Sequence, residues 1–298
     1  MIEPLKYLQP TVVAQLANME LRARLVVEGF ITGLHKSPYH GFSVEFTEHR
    51  QYMPGDEIKH IDWKAYGKTD RFYIKQFEEE TNLKSYLLVD ASKSMAYASE
   101  GTISKFQYAC YIAAALTYLM IEQRDAVGLT LYDQTTRVSL PPRATKSYIK
   151  EILRELEHAR PAQKTETAAS LHIIAEQMKR RGLVIVLSDL FDNPASVMNA
   201  LKHFRHKGNE VIVMHILDPF ERSFAFGTDA VFHDLETDEK ITTQPWHIQQ
   251  AYRQSMQDFI EQYRRQCRDN TIEYVLLDTG TSFDKALFEY LHKRQRIH

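Results

Sequence analysis

Leu87-Leu88-Val89-Asp90-Ala91-Ser92-Lys93-Ser94-Met95 is the stretch on which the fold turns. An apolar run stops at an aspartate, and serines follow at alternate positions, so one carboxylate and two hydroxyls fall within a single tight turn. A buried strand that delivers oxygen donors at its carboxyl end is one way to assemble a site for a hard divalent cation. The same residue types also cap helices, because their side-chain oxygens accept from the free amides of a first turn. The surrounding chain has to decide between the two.

Downstream of Leu83, apolar strands alternate with amphipathic helices, which is the pattern of an open, mainly parallel α/β sheet with helices on both faces. Strands are expected at 85–90, 127–132, 183–188, 210–217 and 273–277, mostly continuous in hydrophobicity as strands buried on both faces should be. Helices are expected at 104–122, 146–158, 167–181, 195–206, 246–268 and 283–292. Residues 135–140 should pair antiparallel with the strand before them, and 224–241, with a Gly227-Thr228-Asp229 turn, reads as an inserted hairpin or loop. Asp90, Asp133, Asp189, Asp218 and Asp278 each stand at or just past the end of a run. Open α/β sheets take ligands at this edge, although Asp133, Asp218 and Asp278 read better as turn starters or caps.

Upstream, residues 10–27 place Val12, Val13, Leu16, Met19, Val26 and Val27 at helical spacing, with Glu20, Arg22 and Arg24 on the other side. From Glu28 to Phe77, glycines and prolines punctuate short β-prone pieces at 42–46 and 71–75, which describes a loop-rich unit with little core of its own. The expected organisation is an N-terminal helix and β-rich unit over 1–82 and an α/β domain over 83–298.

Composition narrows the function classes. The 298 residues are 44% hydrophobic and 26% charged, and 37 Lys and Arg nearly balance 39 Asp and Glu, so no basic footprint for nucleic acid or a membrane surface exists. The two cysteines, Cys110 and Cys267, lack any Cys-x-x-Cys spacing, which suits a reducing compartment. The most apolar long run, 108–121, falls short of the ~20 residues needed to cross a bilayer, and the amino terminus lacks a signal-peptide core. A cytoplasmic protein without direct membrane insertion is expected.

With the strand before it and the helix after it, Asp90-x-Ser92-x-Ser94 resembles the metal-ion-dependent adhesion site of the von Willebrand factor A fold. That resemblance implies Mg²⁺ (or Mn²⁺ or Ca²⁺) held by the two serines, with a threonine from a second loop and an aspartate from a third. The third loop is matched by Asp189, closing the run Leu183 to Ser188, with Asp192 as a nearby competitor. For the second loop, the family's threonine usually stands six residues before the first buried leucine of the following helix. This selects Thr165 ahead of Leu171, and Thr167 then reads as the helix N-cap. Gln163 and Lys164 stand where the family usually has glycines. The resemblance leaves open a degenerate site that keeps the turn and holds no ion.

A second resemblance lies just upstream. Glu45-Phe46-x-x-x-Arg50-x-Tyr52-x-Pro54-Gly55-Asp56, then Ile61-Asp62-Trp63-Lys64, then Gln76-Phe77-Glu78-Glu79-Glu80-Thr81, is similar to the signature of the family catalogued as domain of unknown function number 58. Members join that signature to a von Willebrand A-like domain opening Asp-Ala-Ser-x-Ser-Met, as Asp90 to Met95 does. Physically, Pro54-Gly55-Asp56 makes a tight turn. Arg50 and Asp62 are candidates for a fixed ion pair, and Trp63 for an anchor between the small unit and the sheet. The block reads as a rigid clasp, with a partner-docking surface as the alternative.

Other chemistries are absent from the pattern. Gly67-Lys68-Thr69 looks like the end of a phosphate-binding loop, but Asp62 occupies the position that loop reserves for glycine. No His-Glu-x-x-His, Gly-x-Ser-x-Gly or cysteine pair occurs. His203 and His206 share a helix face, but a metal pair there is set aside. The expected function is a non-catalytic protein-interaction module, and the family resemblance implies a MoxR-type AAA+ ATPase as partner, acting on client proteins. The alternative is a metal-dependent hydrolase at the same edge, with His60 or His215 as its base.

Overall fold

The structure is a computed structural model that describes residues 10–14, 18–35, 49–51, 66–67, 72–75, 83–162, 167–224, 230–233, 240–243 and 245–297. Its helices are α1 (Pro10–Ala14), α2 (Met19–His35), α3 (Lys105–Glu122), α4 (Lys146–His158), α5 (Thr167–Gln177), α6 (Pro194–His206), α7 (Pro219–Ser223), α8 (Pro245–Asp269) and α9 (Asp284–Ile297). Its strands are β1 (His49–Gln51), β2 (Tyr73–Lys75), β3 (Lys84–Asp90), β4 (Ala126–Tyr132), β5 (Thr136–Arg143), β6 (Leu183–Ser188), β7 (Glu210–Leu217), β8 (Ala230–His233), β9 (Lys240–Thr243) and β10 (Glu273–Asp278).

Six strands form one sheet in the order β10-β7-β6-β3-β4-β5. All neighbours are parallel except β4 and β5, which pair antiparallel as a hairpin. From β3 the chain moves outward through β4 and β5, returns across the sheet, and continues on the other side through β6, β7 and β10. The reversal puts a topological switch point between β3 and β6, the place where open α/β sheets leave a crevice. Asp90 ends β3, and Ser188 and Asp189 end β6.

Side-chain alternation along the strands separates two cores. Leu87 and Val89 of β3, with Ile185 and Leu187 of β6, face α3, α4 and α9; Leu88, Val184 and Val186 face α5, α6 and α8. Every residue of β6 is buried, as a central parallel strand requires. Helix α3 is buried on almost all sides, which explains its nearly unbroken apolar run, and Ser104 with Gln107 closes its start in a reciprocal capping box.

Two expectations are corrected. The amino-terminal helix does not end near Val27: α2 continues to His35 through Gly29 and Gly33, read from sequence as breaks. Met19, Ala23, Val26, Val27 and Phe30 share the core that surrounds α3, and that burial outweighs the roughly 1 kcal/mol cost of each helical glycine. Helix α5 stops at Gln177 instead of running to Arg181. Lys207 donates to the carbonyls of Ala175 and Glu176, and Tyr86 to that of Arg180, which fixes the turn into β6. The hairpin expected over 224–241 is present as β8 paired with β9. The proposed strand at 42–46 lies outside the described residues.

Candidate functional site

Three loops converge at the switch point. Asp90 is fully buried, its Oδ1 accepting from the Ser92 amide at 2.9 Å. Its Oδ2 accepts from the Ser188 hydroxyl at 2.6 Å, on β6, and from the Thr167 hydroxyl at 3.3 Å, at the start of α5. The first loop is thus tied by side chains to both of the others. Ser92 and Ser94 place their hydroxyl oxygens 3.1 Å apart, and a short 3₁₀ turn at Ser94–Ala96 holds them there. Burial, and then the charge of Asp189, push the Asp90 carboxyl up to about 6 against the opposing hydrogen bonds of Ser188 and Ser92.

The third loop carries backbone strain. Leu190 adopts a left-handed φ of 56°, costly for a branched side chain. It is held there by the Ser188 hydroxyl, which accepts from the Leu190 amide at 2.9 Å, and by Tyr263, which donates to the Leu190 carbonyl at 3.2 Å. This conformation turns the chain sharply beyond Asp189. Asp192, the competitor for the third-loop position, instead accepts from the Ala168 amide and so caps α5.

Asp189 has a partner that sequence reading did not anticipate. The Lys105 ammonium lies 2.8 Å from Asp189 Oδ2 and 2.6 Å from Glu221 Oε1, and the lysine side chain is fully buried. It also sits 4.6 Å from the ring centre of Phe191. Burial pulls the lysine's pKa down, but Asp189 and Glu221 more than offset it, so the net shift is upward and the ammonium is retained. Lys105 stands in the first turn of α3, where a positive charge opposes the helix dipole. That mismatch was the available signal in the sequence. Glu221 arrives through the capping box at the start of α7, whose cap is Asp218.

The remaining strand-end aspartates behave as turn residues. Asp218 caps α7 and accepts from Ser99 and Thr102, Asp133 accepts from the Thr135 amide, and Asp278 accepts from the Gly280 amide and pairs with Arg222. Thr167 is corrected in role, because it is the first helical residue and its hydroxyl reaches Asp90. Thr165, Tyr52, Pro54, Gly55, Asp56, Asp62, Trp63 and His60 lie outside the described residues. Arg50 is described only as the middle of β1, opposite Ile74. His215 is fully buried, with Nδ1 2.6 Å from the Tyr274 hydroxyl, and burial lowers its pKa to about 4 despite the charge of Asp189.

Among the described residues, no three His, Cys, Asp or Glu side chains converge as a metal-binding group. The donors gathered at this edge are mainly hydroxyls. Ser92 and Ser94 have the separation of adjacent ligands in an octahedron with bonds of ~2.1 Å, whose edge is ~3.0 Å. Asp90, Asp189 and Glu221 set against Lys105 leave two negative charges in a buried cluster. In number and hardness these donors fit a small divalent cation.

Fold and site together define an open α/β domain with an oxygen-lined switch point. The chain belongs to the family described as "Protein of unknown function DUF58", which it matches over residues 48–266. It is 25% identical over 231 residues to "Uncharacterized protein Rv1480" of Mycobacterium tuberculosis and to "Uncharacterized protein Mb1516" of Mycobacterium bovis, covering 76% of this chain and 72% of each relative. Among solved structures it is similar to the conserved hypothetical protein BatB from Bacteroides thetaiotaomicron, at 18% identity over 72% of this chain and 99% of that one, with a TM-score of 0.47. It is also similar to an aerotolerance-related membrane protein from Bacteroides fragilis, at 20% identity over 71% and 99% of the two chains, with a TM-score of 0.48. No helix among the described residues is long and apolar enough to cross a membrane.

Proposed function

We propose that this protein is a non-catalytic interaction module that grips a partner carboxylate through a divalent cation at the switch point. Asp90, Ser92, Ser94 and Asp189 would hold the ion, with Thr165 or Thr167 from the second loop. Mg²⁺ suits the role because it readily shares its shell between protein oxygens and exchangeable ligands. The observation that carries this reading is the convergence on Asp90 of Ser188 and Thr167, residues 98 and 77 positions away, beside the paired serine hydroxyls. The family resemblance implies a MoxR-type AAA+ ATPase as the partner, in a chaperone-like or assembly system acting on client proteins.

The hydrolase alternative finds no base at this edge among the described residues. A metal-activated water needs a base that can exchange protons with it, and His215 is buried beneath Phe259, Tyr263 and Tyr274. The test is a Mg²⁺ titration by calorimetry together with capture of the purified ATPase, comparing the wild type with a Ser92→Ala/Ser94→Ala variant. Saturable Mg²⁺ binding and capture that the variant and chelator both abolish are expected. Equal capture by wild type and variant would overturn the cation bridge.

A further inference from the structure

Two histidines meet away from the sheet edge. His172 on α5 and His203 on α6 approach each other across the helix pair, with their Nδ1 atoms 3.3 Å apart. Both side chains are half-buried, and the backbones beneath them are fixed by packing of Leu171, Ala175, Val197, Ala200 and Leu201 in one core. The sequence pairs His203 with His206 on one helix face, but the fold pairs it with His172.

Geometry describes the contact in three ways. The rings meet at a tilt rather than flat, with their centres 5.5 Å apart and their planes inclined at 43°. A hydrogen bond in which one imidazole donates to the other is made at 3.3 Å, slightly longer than the usual ~2.7–3.2 Å for N–H donors. A single ion bound by both nitrogens with bonds of ~2.1 Å would subtend an N–metal–N angle of about 105°, close to the tetrahedral value.

We propose that His172 and His203 form a clamp for a borderline transition metal, Zn²⁺ in the first instance, bridging α5 and α6. Imidazole nitrogen selects Zn²⁺, Cu²⁺ or Ni²⁺ over Mg²⁺ and Ca²⁺, so this site is chemically distinct from the oxygen-lined edge. No third His, Cys, Asp or Glu converges with the pair among the described residues, and water fills the remaining positions. Helix α5 begins at Thr167, which contacts Asp90, and α6 follows the Asp189 loop. The clamp therefore joins the helices behind the second and third loops, and bound metal stabilises their packing by mass action.

The experiment is a Zn²⁺ titration of the full chain by calorimetry in excess Mg²⁺, which saturates any oxygen site at the sheet edge. Wild type, His172→Ala and His203→Ala are compared, with far-UV circular dichroism confirming that the variants fold. One Zn²⁺ per chain is expected in wild type, with at least a tenfold loss of affinity in each variant and a rise in Tm seen only in wild type. Electron paramagnetic resonance of the Cu²⁺-loaded protein should show coupling to two imidazole nitrogens, falling to one in either variant. Absence of Zn²⁺ binding to wild type, or retention of wild-type affinity by His203→Ala, overturns the clamp. Loss of Mg²⁺ binding alone leaves the Zn²⁺ result unchanged and counts only against the proposed sheet-edge cation.

Discussion

Lys105 is the residue on which the interior of the site depends. Two carboxylates, Asp189 and Glu221, arrive in the protein from different strand ends, and one buried ammonium compensates both. Removing one member of a buried ion cluster leaves uncompensated charge and typically costs ~3–5 kcal/mol, whereas an exposed pair is worth ~0–1. Lys105→Met is therefore expected to lower unfolding stability by about 3–5 kcal/mol in chemical denaturation, and adding Glu221→Gln should recover part of that loss. Lys146→Ala, which breaks the exposed pair with Glu122, should change stability by less than about 1 kcal/mol. Equal effects at the two lysines would refute the assigned role of Lys105.

At the scale of elements, the switch point depends on how closely β3 and β6 approach at their amino ends. Gly182 precedes β6, and a Cβ built there would lie 2.0 Å from the carbonyl oxygen of Lys84, a backbone atom that cannot swing aside. Its amide donates to Asn209 and its carbonyl accepts from Glu210, so the residue joins three strands at their entry. Gly182→Ala should cost more than about 2 kcal/mol through displacement of β3 against β6. Gly67→Ala, where nothing among the described residues lies within 4 Å of the added methyl, should be near neutral. Differential scanning calorimetry on the two variants distinguishes them. Registry between β3 and β6 also sets the distance from Asp90 to Ser188, so Gly182→Ala should weaken the proposed Mg²⁺ binding as well.

For the whole molecule, two buried titratable groups oppose each other in pH. Asp90 has its pKa raised from 3.8 to about 6, so its contribution is present below pH 3.8 and is lost as pH rises through 6. His215 has its pKa lowered from 6.5 to about 4, so its contribution is present above pH 6.5 and is lost as pH falls through 4. Between about pH 4 and 6 the two slopes, each about 1.4 kcal/mol per pH unit, cancel. In chelator, Asp90→Asn is expected to uncover the histidine and make stability fall toward acid over that range, while the wild type shows no such limb from this pair. Urea unfolding at several pH values measures both slopes, and an unchanged profile in Asp90→Asn would refute the opposition.

Much of this was legible from local pattern. The continuous apolar runs of β3, β4, β6 and β7 and the amphipathic periods between them specify the parallel sheet, because burial on both faces leaves no place for alternation. The placement of Asp90, Ser92, Ser94 and Asp189 at one edge was legible because parallel strand ends in such a sheet necessarily share it. Tertiary structure alone decided the rest. Lys105 pairs with two carboxylates brought from residues 84 and 116 positions away, and His172 meets His203 from another helix. Thr167 reaches Asp90, and α2 runs through its glycines because a core forms beneath it. Local sequence encodes periodicity and turn chemistry; ion pairing, metal-chelating distance and burial arise only when distant segments occupy the same volume.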